Sequence, residues 1–160
     1  GDEWIDFWTG SKHPGGRSVY VKAPLARLPL FVRAGAIIPT MKPARRVPGG
    51  RIGPLIVEVW PYGRSSYNLY EDEGVTEFKC DPGRDGVAFE WSGPLPRRVI
   101  VHFRGISKPK EITMVTSEEP TKTQELEGIE LDKKYILAVP ETAGARLALQ
   151  FLESSRRKPS

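Results

Sequence analysis

The sequence predicts an all-β protein, an antiparallel β-sandwich or a pair of them with few or no helices, on three observations. Proline and glycine, at 15 and 16 of 160 residues, interrupt the chain too often for a long helix. The stretches between them alternate apolar and polar residues with the period of two that marks a half-buried strand. About eleven such stretches fill the chain, which leaves no room for the helices that an α/β fold places between strands.

Taken in order, the strand candidates are residues 4–8, 17–22, 29–33, 55–59, 67–70, 76–79, 87–91, 98–103, 111–115, 135–139 and 147–151. Val99, Val101 and Phe103 share one face, with Arg98 and His102 opposite. Leu55, Val57 and Val59 alternate with Glu58, and Val87, Phe89 and Trp91 with Glu90. Tyr135, Leu137 and Val139 form another face, as do Leu147, Leu149 and Phe151. Ile37 and Ile38 add apolar strand surface after a bend at Ala34-Gly35. The run MKPARRVPGGRIGP over residues 41–54 lacks apolar periodicity and reads as a loop or linker. The polar end beyond about residue 154 reads as a disordered tail.

Composition excludes several classes of function. Net charge is +4, with basic residues concentrated at 42–51 and at Arg156-Arg157-Lys158, but no recognition motif accompanies them, so no nucleic-acid partner is expected. No apolar run reaches the roughly 18 residues of a membrane span, so no membrane partner is expected. The first residues carry neither a basic nor an apolar leader, and Cys80 is the single cysteine, which together suggest a cytoplasmic setting. Asn68 is the sole asparagine and only Met41 and Met114 are methionine, a composition leaning towards a heat-adapted source.

The residues that carry chemistry are few. His13 and His102 have no ligand at metal spacing, so neither a metal site nor a cofactor is expected. Glu71-Asp72-Glu73 before Gly74 reads as an acidic hairpin turn, with Glu71 and Asp72 as possible ion or sugar contacts. Trp60 and Tyr62, at a strand end, are the candidates for stacking on a sugar ring. No residue is assigned a catalytic role.

Three strings, in order, give the sequence a resemblance. WIDFWTG at residues 4–10, APLARLPLFVRAGAIIP at 23–39, and LYEDEG at 69–74 followed by Thr76 resemble the C-terminal region of family 31 glycoside hydrolases. That family includes α-glucosidases and α-xylosidases. The resemblance implies a larger protein that runs from an N-terminal β-sandwich through a catalytic TIM barrel into a proximal and a distal C-terminal β-sandwich. It also implies a retaining mechanism, with an Asp nucleophile and an Asp acid/base on the barrel. The nucleophile motif carries Asn-Glu, whereas Leu69 follows Asn68 here, so no catalytic residue transfers.

On this resemblance residues 1–52 hold the last strands of the proximal sandwich plus a linker, 53–153 the distal sandwich, and 154–160 a tail. The chain is then expected to be inactive alone and to buttress a catalytic barrel, in the same protein or on a separate chain. Its link to α-linked oligosaccharide would run through that parent enzyme. Trp4, Trp8, Phe31 and Arg33 are the interface candidates, and Arg33 would need a carboxylate or carbonyl partner if buried. Strands left without neighbours also suit association between copies. The other readings are a carbohydrate-binding module with exposed aromatics and a non-catalytic subunit of a split glycosidase.

Overall fold

A computed structural model describes residues 2–42, 53–131 and 134–151. The expected tail and most of the expected linker lie outside the described residues. Every described element is a strand: β1 (Glu3–Asp6), β2 (Lys12–Pro14), β3 (Phe31–Arg33), β4 (Ile37–Thr40), β5 (Leu55–Val59), β6 (Ser65–Glu71), β7 (Gly74–Pro82), β8 (Gly86–Arg104), β9 (Glu111–Thr116), β10 (Gln124–Glu125), β11 (Ile129–Leu131) and β12 (Lys134–Gln150). The all-β architecture is as expected from the alternation.

The strands form a three-stranded sheet in the order β2-β1-β3 and a nine-stranded sheet around β8 and β12. Two long strands fold the large sheet over on itself. The first half of β8 pairs with β7 and with the end of β12, and its second half pairs with β5 and with the start of β12. The ladder between β8 and β12 slips between Val139 and Gly144, opposite the stretch of β8 that contains Pro94 and Pro96. Proline has no N–H to give a ladder, so an unpaired bend suits it. The two halves then face each other across one core. Phe89 from the first half meets Phe103 from the second edge-on at 5.7 Å, and both are fully buried along with Phe78, Val101, Leu137 and Leu147.

Several expectations need correction. Residues 87–91 and 98–103 belong to one bent strand, as do 135–139 and 147–151, because the proline break is a bulge and not a loop. Residues 17–22 form no strand; they run as an irregular segment with exposed side chains. The first strand ends at Asp6, so Trp8 lies in a turn. Pairing is antiparallel except between β5 and β8, which run parallel. Finally, β4 precedes the 41–54 stretch yet pairs with β5 in the large sheet, so the chain on both sides of that stretch shares one sheet.

A second, small core joins the sheets. Ile5 and Val32 point inward from β1 and β3 and meet Trp60, which follows β5 and is 3% exposed. Phe7, Ala36 and Tyr62 pack around them.

Candidate functional site

The string DFWTG makes a self-contained turn. The Asp6 side chain accepts the backbone N–H groups of Trp8 at 2.9 Å and Thr9 at 2.8 Å. Partial burial opposes ionisation of Asp6, but those backbone bonds outweigh it and lower its pKa. The Gly10 N–H donates to the Asp6 carbonyl at 2.8 Å with φ at 76°, a conformation that favours glycine. The turn places Trp8 outward, with its Nε1 donating to the Leu28 carbonyl at 2.8 Å and the Arg27 guanidinium 5.3 Å from its ring.

Alternation in the small sheet does the rest. Trp4 pairs in register with His13 and Arg33, and Asp6 with Phe31, so these side chains share the face turned away from Trp60. His13 packs edge-on to Phe31 at 5.4 Å, and a groove of about 290 Å³ runs between Trp4, His13, Val19 and Phe31. The structure therefore gathers Trp4, Phe31 and Arg33 on one surface, with Trp8 at its border. Arg33 is exposed and pairs with Asp2 at 2.9 Å. The irregular segment beside this face carries Tyr20 and Leu25 fully in solvent, at 105% and 109% exposure, and Leu28 at 74%.

The sugar-stacking candidates fare differently. Trp60 is a core residue, and Trp91, the other tryptophan of the large sheet, is 4% exposed, so neither ring offers a flat face to a ligand. Tyr62 is half-buried, with the Lys12 ammonium 4.2 Å from its ring centre. Glu71 and Asp72 do not converge. Glu71 forms a two-point ion pair with Arg97, at 2.7 and 3.0 Å, while Asp72 sits exposed in a two-residue hairpin turn closed by Gly74. Among the described residues, no three His, Cys, Asp or Glu side chains gather as metal ligands would. Cys80 is buried, and burial pushes its pKa up to about 12, far from a reactive thiolate.

A charged cluster escaped the sequence reading. Glu58, buried on β5, accepts from Arg104 Nε at 2.6 Å and lies 2.8 Å from His102 Nδ1. Burial would raise the Glu58 pKa, but the bonds from His102 and Arg104 and their charges outweigh it and hold the pKa at about 2. An ionised carboxylate only accepts, so His102 Nδ1 carries the proton. The Arg104 guanidinium also lies 4.6 Å from the Phe7 ring and 5.4 Å from that of Trp60, which ties the small sheet to the large one. The alternation placed Glu58 and His102 on a polar face. Their meeting depends on the parallel register of β5 and β8, which no local pattern encodes.

Residues 1–38 match the glycosyl hydrolase family 31 C-terminal domain. The chain is 38% identical over 73 residues to an α-xylosidase of Saccharolobus solfataricus, across 46% of this chain and 10% of that protein. It is 37% identical over 79 residues to an isomaltosyltransferase of Sporosarcina globispora, across 45% of this chain and 7% of that protein. The chain thus spans about a tenth or less of these curated relatives. In fold, a GH31 dextranase of Flavobacterium johnsoniae solved with glucose superposes over 92% of this chain and 23% of its own, with TM-score 0.76 at 20% identity. Over residues 1–38 in sequence, and over most of its length in fold, the chain is thus similar to the C-terminal β-strand region of larger family 31 glycosidases. Its described residues are all strand and loop and hold no catalytic TIM barrel.

Proposed function

We propose that the chain buttresses the catalytic TIM barrel of a retaining α-glycosidase, docking through the outer face of the small sheet and residues 17–30. One observation carries this reading. Among the described residues, seven of the fourteen exposed large hydrophobic ones, Trp4, Trp8, Val19, Tyr20, Leu25, Leu28 and Leu30, fall before residue 31, although that stretch is under a fifth of the chain. Apolar area of this kind is worth about 25 cal/mol per Å² once covered. Residues 2–33 are the docking end, and the described residues of 37–42, 53–131 and 134–151 the self-contained sandwich. The parent enzyme acts on α-linked glucose or xylose without a cofactor, and the names of the relatives support both hydrolysis and transfer. The lone buried Cys80 supports a cytoplasmic setting. No described helix is long and apolar enough to cross a membrane.

The test is Leu25→Asp, made in the chain and in the full-length parent. In the chain Leu25 is fully solvated, so the melting temperature should not move. In the parent, a carboxylate forced into an apolar contact should cost about 2–4 kcal/mol and lower both melting temperature and activity. An unchanged parent overturns the proposal. A parent-free chain whose melting temperature falls on dilution would instead assign the face to a second copy. Purified chain should release no p-nitrophenol from α-glucoside or α-xyloside substrates.

A further inference from the structure

A hollow of about 710 Å³ is a cleft where the small sheet meets β6, between the Arg33–Ile37 bend and the start of that strand. Its volume is within the roughly 300–1,000 Å³ of small-ligand sites. We infer that this cleft is an oligosaccharide-binding site, taking a short α-linked chain of two or three sugar units. The sugar class rests on the glycosidase reading above; the site itself rests on the following geometry.

Charge comes first. The walls carry Asp2, Glu3, Arg33 and Arg64, two of each sign, and each already has an opposite partner: Asp2 with Arg33 at 2.9 Å, Glu3 with Lys12 at 3.1 Å, Arg64 with Asp81 at 2.9 Å. A phosphate or carboxylate ligand would need a cation to spare. A neutral polyol needs donors and acceptors side by side, and an Arg–carboxylate pair offers both to neighbouring hydroxyls. Tyr62 and Tyr67 line the same cleft, and Tyr67, 42% exposed, gives apolar surface for the C–H face of a pyranose.

The floor adds an independent observation. The Ser65 hydroxyl is buried yet has no hydrogen-bond partner, and it lines this cleft. A buried polar group without a partner is costly, and a small turn of the Ser65 side chain into the cleft would let a ligand hydroxyl satisfy it. Gly35, at φ 86°, brings backbone to this floor, where an added Cβ would sit 3.7 Å from Ser65 Cβ. Arg64, Ser65 and Ser66 also line a second hollow of about 390 Å³ that leads on towards Lys79 and Glu90, so the site has room to extend along one direction.

Calorimetric titration of the chain with isomaltotriose and maltotriose tests this, with cellotriose and inorganic phosphate as comparison ligands. Saturable binding of an α-linked trisaccharide is expected, weakened about tenfold by Tyr67→Ala. Arg64→Ala, at a side chain 82% exposed whose surface pair adds little to folding, should weaken it severalfold. Tyr20→Ala, outside the cleft, should leave it unchanged. Absence of trisaccharide binding, binding indifferent to both cleft variants, or preference for phosphate each overturns the inference. So does burial of the cleft by the barrel in the parent, read as amide exchange protection at 33–37 and 62–67. If Leu25→Asp destabilises the parent while no sugar binds, this inference fails and the docking reading stands.

Discussion

Glu58 shows how much one side chain can depend on partners far away in sequence. Its carboxyl is buried, and its depressed pKa of about 2 records that His102 and Arg104 favour the charged form more than burial opposes it. Because the folded pKa lies below the ordinary 4.5, the folded state gains from ionised Glu58 above about pH 4.5. That gain, roughly 3 kcal/mol at neutral pH, is lost as pH falls towards 2. Thermal unfolding followed by circular dichroism from pH 7 to 2 should therefore show a steep fall below pH 4.5. Glu58→Gln should melt lower at pH 7 and lose most of that slope. An unchanged slope in the variant would show that other carboxylates carry it. Little in the local pattern signals this cluster: Glu58 and His102 are 44 residues apart, and only the β5–β8 register brings them together. Asp6 and Gly10, by contrast, act within five residues, and their turn is legible as a local motif once the bonds to Trp8 and Thr9 are known.

Among the elements, alternation located the strands well because each faces a core on one side. Val99, Val101 and Phe103 are all fully buried, as their spacing required. It failed where context overrides pattern. Residues 17–22 alternate like a strand but have no neighbour to pair with among the described residues, and β8 continues through two prolines because its partner bulges away there. The hairpin of β6 and β7 shows what holds such long strands in place. Its tip residue Glu71 reaches the middle of β8 and pairs at two points with Arg97, whose side chain is 9% exposed. Removing the carboxylate leaves a guanidinium buried alone, which typically costs 3–5 kcal/mol. Since Glu71 itself keeps about a quarter of its exposure, Glu71→Ala should cost about 2–3 kcal/mol in urea unfolding. Lys122→Ala, at an exposed pair with Glu119, should cost under about 0.5 kcal/mol. Equal effects from the two variants would mean that the Glu71–Arg97 pair adds nothing to the hairpin.

At the level of the whole molecule the two cores differ greatly in size. The large one draws buried residues from β4, β5, β7, β8, β9 and β12, whereas the small one rests on Ile5, Val32 and Trp60 with a few half-buried neighbours. The first thirty-odd residues therefore gain little from their own sheet. They are held chiefly by Trp60 and by the stacking of Arg104 on Phe7 and Trp60. Stability that is uneven in this way should appear as local opening at the weak end, well below the free energy of global unfolding. Residues 15–30 carry Arg17, Lys22 and Arg27 in exposed, irregular chain, so trypsin has three sites there. Brief digestion of the isolated chain should make its first cut in that segment well before any cut within β8 or β12, leaving a resistant fragment that contains both strands. Arg104→Met, which keeps bulk but removes the cation from Phe7, Trp60 and Glu58, should speed this first cut severalfold more than it speeds loss of the fragment. In the full-length parent, with its barrel over the same face, the cut should slow strongly. If a dilute, monomeric chain resists trypsin at 17–27 as well as it does in β8 and β12, the small sheet is stable by itself. The exposed Tyr20, Leu25 and Leu28 would then have to be explained without a docking partner.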